Sequence, residues 1–540
     1  MSIDITSLTT LTADELRQLV LQQQQDHQIL LAEKQQLQHS TQALLAEKQH
    51  LHAQKIELTQ LNEKLTFELA VLRRLRFSKT SEQLHSGAQG QLFGEAIHED
   101  IAAIETIIEQ AALPQKSPST PLNTQAKQTP LPEIDWGKFP QKTIMHEPDS
   151  TVCSCGCQLK RIGEEVSRKL DYTPGTFTVE NHTRGKWVCL ECETLTQAPM
   201  PVQLIDKGVA TSGLLAHVLI AKFVDHLPLY RQTQIFARAG YPLARSTLAQ
   251  WVGICGVHLQ PLVDALRQHL LAQPVLHADE TPVRMLSPGN GKTHQAYLWA
   301  YTSTAFSTLK GVIYDFTEGR AGRHAQQFLG QWQGTLVCDD YAGYKVLFQE
   351  GAIIESGCWA HARRKFFDVY QANKSELANY ALAQIQQLYL TERDVQALKP
   401  EQRHQHRQTH MKPILDKLHQ WMQEQSLLVP PKSAILKALM YSLNRWQALT
   451  RFVDDARLPM DNNAVENLMR PIALGRKNWL FAGSLRAGMR AAAIMSLLQS
   501  AKLNGLDVHA YLTDVLTRLP AHKASQIDEL LPHNWQPSPT

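Results

Sequence analysis

Two apolar, strand-like runs in this chain end in acidic doublets, Val275-Leu-His-Ala-Asp279-Glu280 and Thr335-Leu-Val-Cys-Asp339-Asp340. Carboxylates at the ends of core strands stay ionised only when a cation or a hydrogen-bond network compensates them. A pair of divalent ions about 3.5–4 Å apart supplies that compensation, activates a water and stabilises a leaving 3′ oxygen. A third acid, Glu466 in Asp461-Asn-Asn-Ala-Val-Glu466, is placed to approach both strand ends from a helix. The alternative is local: strand-end acids cap turns, and Glu466 with Asn463 three residues earlier makes a capping box.

Glu466 is followed by Arg470, Arg476, Lys477, Arg486, Arg490 and Lys502, with Trp479 and Phe481 interleaved and no further acid before Asp507. One carboxylate facing cations and aromatics suits a metal-dependent enzyme that acts on a polyphosphate backbone. A second basic cluster, Arg363, Arg364 and Lys365, lies in His361-Ala-Arg-Arg-Lys-Phe-Phe. The net charge of +3 and pI near 8.3 are too mild to argue for nucleic acid; the clustering carries that argument.

The elements that hold these acids read as an α/β domain with a mixed sheet. Strands are expected at Val275 to the acids, His294–Ser303 and Ser307–Phe316, then a helix over Arg320–Trp332, strands ending at Asp339 and over Ile353–Trp359, and a basic helix from His361. Ala464–Met469 reads as the first turns of a helix that Pro471 soon interrupts. Upstream, Ser212–Gln273 is helical in pattern. Leu229–Ala237, the turn Gly240-Tyr-Pro242 and a second helix from Arg245, with Ser246 as its N-cap, outline either a helix-turn-helix or an ordinary helical hairpin. In the first case Arg231, Arg245, Ser246 and Gln250 are its DNA-facing side chains.

Five of the eight cysteines fall between Cys153 and Cys192. Cys189-Leu-Glu-Cys192 has the usual spacing for half of a tetrahedral zinc site. Cys153-Ser-Cys155-Gly-Cys157 offers three thiols for the other half, any two of which suffice, and strand-like residues at Lys169–Glu180 and Lys186–Val188 fit a zinc ribbon. Near the N-terminus, leucines recur every seventh residue at Leu30, Leu37, Leu44, Leu51, Leu58, Leu65 and Leu72. Two helical turns span seven residues, so the column must be buried against another helix. The companion column, Lys34, Thr41, Lys48, Lys55 and Asn62, is polar and favours a dimer. Leu92–Ala112 makes a shorter helical pattern, and residues 113–135, with five prolines among Ser, Thr and Gln, make a flexible linker.

At 540 residues, 43% hydrophobic and 19% charged, the chain is a multidomain globular protein. No apolar run reaches the ~18 residues of a membrane span and the polar N-terminus is not a signal peptide, so the expectation is a cytoplasmic, nucleoid-associated protein.

His277-Ala-Asp279-Glu-Thr, Leu336-Val-Cys-Asp339-Asp-Tyr-Ala-Gly-Tyr344, Cys358-Trp-Ala-His-Ala-Arg-Arg-Lys-Phe366 and Asp461-Asn-Asn-Ala-Val-Glu466-Asn through Gly483-Ser484 together resemble the DDE transposases of the insertion sequence 66 family. The likeness runs from the leucine-rich segment to Leu519-Pro520. It implies an RNase H-like core in which Asp279, Asp339 and Glu466 bind Mg2+ (or Mn2+), with a helical insertion ahead of the last carboxylate. Alignment on Tyr341-Ala-Gly-Tyr344 favours Asp339 over Asp340. The resemblance also implies Zn2+ in the cysteine cluster, double-stranded DNA (terminal repeats and target) as partner, and companion proteins from the same element. The first cysteine group departs from the family's C-x-x-C; alignment on Cys155-Gly156 and Leu159 makes Cys155 the surest ligand there, with Cys153 or Cys157 beside it. The expected function is metal-dependent cleavage at element ends followed by strand transfer; a structure-specific nuclease and an inert DNA-binding regulator are the rivals. The expected domains are a coiled coil at 10–80, a linker at 113–135, a zinc-ribbon-like domain at 140–205, a helix-turn-helix region at 210–272, the catalytic core at 273–485 with its insertion at about 370–450, and a helical C-terminal region at 486–540.

The leucine column generates a direct test. Residues 10–80 should sediment as a homodimer or higher oligomer, whereas a monomer at tens of micromolar, an order-of-magnitude choice for a coil with polar companion positions, rules the seam out.

Overall fold

The computed structural model describes residues 136–538, apart from 149, 153–155, 174, 207, 288–291 and 350, together with 99–107 and most of 47–69. The segment 47–69 belongs to a compact unit separate from the rest of the described chain. It is helical wherever described, with Leu51 and Leu58 exposed and Leu65 and Leu69 buried. Leu30, Leu37, Leu44 and Leu72 of the same column lie outside the described residues, as does the linker.

In the larger unit the first sheet is built on a long hairpin. Strands β1 (Gln141–His146), β2 (Lys160–Thr173), β3 (Thr176–Val188) and β4 (Leu195–Gln197) pair in the order β1-β3-β2, with β4 also on β3. The strand-like stretch Lys169–Glu180 thus turns back on itself, with Thr173 opposite Thr176 and Gly175 at φ +84°, a conformation that a Cβ would strain. Phe177 and Val179 on the buried face of β3 pack into the same core as Leu214 and Leu215 of α1 (Ser212–Phe223). Thr211 joins the two: its hydroxyl donates to Asp171 (2.6 Å) and accepts from the Leu214 amide (3.2 Å).

After α1 come α2 (Leu229–Arg238) and the 27-residue α3 (Arg245–Leu271). Helix α3 starts at Arg245 with Ala244 as N-cap, so Ser246 sits within the first turn and does not cap it. Beyond that turn α3 is largely a core helix: Leu248, Trp251, Val252, Cys255, Leu259, Leu262 and Leu266 are buried.

The second sheet contains β5 (Val275–Leu286), β6 (Thr293–Ser303), β7 (Val312–Thr317), β8 (Gly334–Val337) and β9 (Ile353–Ser356) in the order β7-β6-β5-β8-β9. The first three are antiparallel, and β5, β8 and β9 are mutually parallel. Helix α4 (Gly322–Leu329) makes the crossover from β7 to β8. Strand β7 is an edge, and edge amides need partners. Ser496 and Ser500 of α12 (Leu485–Leu503), four residues apart on one helix face, accept from the Tyr314 amide (2.8 Å) and the Val312 amide (3.0 Å).

Strand β9 leads into α5 (Trp359–Asn373), then α6 (Glu376–Val395), α7 (Pro400–His406), a π-turn at Arg407–Met411, α8 (Lys412–Leu428), α9 (Ala434–Asn444) and α10 (Trp446–Asp454). These helices carry their own core of Phe366, Ile385, Leu388, Leu418, Leu439 and Phe452, as an insertion requires. Arg407, wholly buried, is held by Glu392 (Nε–Oε2 3.0 Å) and by the carbonyls of Phe452 and Leu458. The chain returns through α11 (Asn463–Trp479), α12 and α13 (Val508–Arg518).

One half-buried histidine makes the junction between the sheet-hairpin and α1 acid-sensitive. Burial, reinforced by His509, pulls His217 down from 6.5 to about 4, where its ring lies 4.4 Å from that of Tyr172. The unfolded chain takes up the proton first as pH falls. Stability from neutral His217 is therefore complete above pH 6.5 and is lost as pH drops from 6.5 through 4. Urea unfolding should show a falling midpoint over that window and a shallower fall in His217→Phe; equal slopes would remove His217 as a cause.

Candidate active site

The parallel ladder between β5 and β8 runs Val275↔Thr335, Leu276↔Leu336, His277↔Val337 and stops. Asp279 and Asp339 each follow two residues later, at the same level of the sheet. Strand β5 does not end there, as its apolar run suggested: it continues against β6 to Leu286, because β6 is long enough to pair with all of it. Asp279 therefore sits inside a strand, at the point where one of its two neighbours leaves.

Successive strand residues point to opposite faces, which separates Asp279 from Glu280 in β5; Asp339 and Asp340, in the loop after β8, also differ in surroundings. Glu280 has a buried side chain that accepts from Arg320 Nε (2.8 Å) and the Tyr344 hydroxyl (2.7 Å), while Arg320 stacks 3.7 Å over the Tyr341 ring. Asp340 is exposed and paired with Lys345 (2.9 Å) and Arg445 (3.5 Å). Asp339 is half-buried, and its Oδ1 accepts only from the Tyr341 amide (2.9 Å) among the described contacts. Burial, followed by repulsion from Glu280, Asp339 and Glu466, pushes Asp279 up to about 8. Two acids of the constellation thus raise the third, and the cations nearby are spent on Glu280 and Asp340.

Glu466 enters from the first turn of α11. The capping-box alternative fails: the N-cap is Asn462 and no side chain caps the helix. Instead Asn462, wholly buried, donates from Nδ2 to the Ala278 carbonyl (2.9 Å) and accepts at Oδ1 from His277 Nδ1 (2.8 Å). Its backbone amide donates to Cys358 Sγ (3.2 Å). Burial keeps His277 below its usual range, and its bond to the Asn462 amide oxygen requires a proton on Nδ1. Sequence reasoning missed both residues; a histidine within an apolar strand was the one available signal. Pro471 does not break α11, which runs on to Trp479. The carbonyl that Pro471 leaves unbonded belongs to Asn467, which is exposed and open to water.

Beside Glu466 stand His361, in the first turn of α5, and the preceding Cys358. His361 Nδ1 lies 3.7 Å from Glu466 Oε1, and burial pushes the Cys358 thiol up to about 12.

The basic residues divide. Arg363, Arg364, Lys365, Arg470 and Lys477 are exposed, and Arg486 is half-buried. Arg476 donates to the Pro282 carbonyl and the Thr281 hydroxyl, which ties α11 to β5. Arg231 reaches Asn478 of α11 (3.5 Å), Arg245 and Ser246 are half-buried, and Gln250 is exposed. Arg490 contradicts its assignment as a phosphate contact. It is buried and donates to Glu99 (2.9 Å) and Asp100 (3.1 Å) of the helical segment 99–107, in space that Gly256 leaves open. Burial opposes ionisation of both acids; Lys222 and Arg490 outweigh it at Glu99 and hold that carboxyl low, whereas Asp100 is raised. Of the cysteine cluster, Cys157 packs beside buried Cys189, and Cys192 is exposed, its thiol donating to Thr194 (3.2 Å). Cys153 and Cys155 lie outside the described residues.

Comparison with known families gives the class. Residues 207–490 match the transposase IS66 family, 496–533 its C-terminal element, and 150–193 the zinc-finger binding domain of transposase IS66, a span that takes in all five clustered cysteines. The chain belongs to the IS66 transposase family. It is 37% identical over 414 residues to the uncharacterized protein y4jD of Sinorhizobium fredii, covering 74% of this chain and 81% of that one. It is 31% identical over 493 residues to the uncharacterized protein y4hP of the same organism, covering 88% of each. No helix among the described residues is long and apolar enough to cross a membrane.

The Arg490 geometry separates structure from DNA contact. Arg490→Ala leaves buried Asp100 without a cation and Glu99 with Lys222 alone, and should cost about 3–5 kcal/mol of stability by urea unfolding. Unchanged stability with weakened DNA binding would restore the phosphate-contact reading.

Proposed function

We propose that this transposase is a DDE enzyme with an RNase H-like core, in which Asp279, Asp339 and Glu466 hold Mg2+ or Mn2+. One observation carries the reading. Asp279 and Asp339 follow the last rung of the same parallel ladder, and their neighbours Glu280 and Asp340 have taken the local cations. A half-buried carboxylate raised by desolvation and by neighbouring acids is costly, and a divalent ion is the ligand that relieves it. The donors are all oxygen, as a hard cation requires. The sheet order β7-β6-β5-β8-β9, with an antiparallel half and a parallel half, supports the RNase H-like assignment. When bound, a metal pair activates the attacking water or 3′ hydroxyl and stabilises the leaving oxygen.

The protein's own residues do the rest. Asn462 and His277 hold the Glu466 helix against β5, and Arg476 fastens its far end. Exposed Arg363, Arg364, Lys365, Arg470 and Lys477 meet DNA phosphates. The zinc-finger domain and the first turns around Arg231, Arg245, Ser246 and Gln250 recognise element ends. Leu51 and Leu58, exposed on a helix, pair two chains so that both ends meet, in a cytoplasmic, nucleoid-associated complex that companion proteins of the element complete.

Asp279→Asn, Asp339→Asn and Glu466→Gln should each lower cleavage of element-end DNA by roughly a thousandfold or more, equivalent to about 4 kcal/mol, with folding retained. Asp340→Asn, which loses the ion pairs of an exposed carboxylate with Lys345 and Arg445, should stay within about tenfold. A dead Asp340→Asn beside an active Asp339→Asn reverses the doublet. Pre-cleaved 3′-OH ends should join target DNA; cleavage without joining indicates a nuclease, and binding without either a regulator.

A further inference from the structure

Cys358 immediately precedes α5 and His361 lies in its first turn, so the three-residue spacing sets both on one side of the helix start, facing α11. Glu466 comes from α11, more than a hundred residues later. Among the described residues, these three are the group whose ligand atoms all lie within 4.8 Å of one another. Donors bound at about 2.0–2.3 Å to one tetrahedral zinc ion lie roughly 3.3–3.8 Å apart, so side-chain shifts of about 1 Å bring all three onto one ion.

The local bonding has a gap of the same shape. His361 Nδ1 and Glu466 Oε1 are both buried atoms without a hydrogen-bond partner, and they face each other at 3.7 Å. With the imidazole proton on Nε2, two lone pairs meet there, and a cation between them removes the conflict. The sulfur side is prepared as well: the Asn462 amide donates to Cys358 Sγ at 3.2 Å, a bond that supports a thiolate.

We propose that Cys358, His361 and Glu466 form a zinc site, with sulfur, nitrogen and oxygen donors, that shares its carboxylate with the magnesium constellation. Its donor set is the wrong one for Mg2+, which prefers oxygen, and the right one for Zn2+. Binding displaces the Cys358 proton to solvent, so zinc uptake is proton-coupled. With three protein donors, a fourth position stays open. Zinc on this set takes Glu466 Oε1 away from the other two acids, so the site acts as an inhibitory one. That consequence rests on the DDE reading; zinc binding itself does not.

The test uses the full chain and needs no DNA for its first arm. Protein stripped of metal, dialysed against buffered Zn2+ and washed should retain about one zinc more per chain than His361→Gln or Cys358→Ser does, the cysteine cluster contributing equally to all three. With Co2+ in place of zinc, the thiolate-to-cobalt absorption should be weaker in Cys358→Ser by the share of a single thiolate. His361→Gln, whose side chain is partly exposed, carries the test if Cys358→Ser does not fold. Equal zinc content in wild type and His361→Gln overturns the proposal and leaves a plain imidazole–carboxylate contact. In the second arm, zinc added at fixed Mg2+ should slow wild-type cleavage at least about tenfold and His361→Gln far less, each relative to its own zinc-free rate. Wild-type protein that gains the extra zinc but never cleaves refutes the DDE reading and leaves the zinc site standing.

Discussion

Asn462 joins three parts of the chain that are far apart in sequence. Its amide group bridges β5 at Ala278 and His277, and its backbone reaches Cys358 at the start of α5. The net gain from one such bond is about 1 kcal/mol, but a buried polar group left without a partner costs about 1–3 kcal/mol. That asymmetry gives the junction its specificity, because only one seating of α11 on the sheet satisfies the amide, the histidine and the thiol together. Glu466 inherits its position from that seating, one helical turn further on. The whole helical insertion lies between β9 and this latch, and it can grow without moving Glu466 while both ends of the excursion stay pinned.

The same economy governs charge. Each acidic doublet puts one carboxylate on either side of its strand or loop, and the structure neutralises one member: Glu280 through Arg320 and Tyr344, Asp340 through Lys345 and Arg445. The neutralised members are not idle. The carbonyl of Arg320, anchored on Glu280, accepts from the Tyr341 hydroxyl, and the Tyr341 amide in turn donates to Asp339. The ion pair on one face thereby orients the acid on the other.

Much of this was legible in the sequence. Apolar runs ending in Asp279 and Asp339 marked two strands of a mixed sheet, and the strand-helix order from β5 to α5 follows the reading with shifts of a few residues. What failed did so because the deciding contact was tertiary. Pro471 has a helix-breaking signature, yet the carbonyl it orphans faces water and α11 continues. Arg490 sits in a run of cations that looks like a phosphate track, but Gly256 makes room for it in the core and Glu99 and Asp100 come from nearly four hundred residues away. Ser246 is a good capping residue at the wrong position by two. The pairing of Asn462 with His277 gave no pattern, since an amide and a ring that meet across 185 positions have no period to read.

The insertion is coupled to the Asp339 loop through Arg445. Arg445, buried between α9 and α10, donates to the backbone carbonyl of Asp339 (3.3 Å), pairs with Asp340, and bonds Glu355 on β9. Burial opposes its charge, but Tyr441, Glu355 and Asp340 together more than compensate, so the guanidinium remains a cation. A planar group with five donors in a fixed fork suits this task, since it can hold a carbonyl and two carboxylates from different elements at once. The loop carrying the second acid is therefore clamped from outside the sheet by the helices that interrupt it. An insertion with its own core and a buried arginine on the Asp339 loop is a structural part of the site, and movement of its helices would be felt first at Asp339.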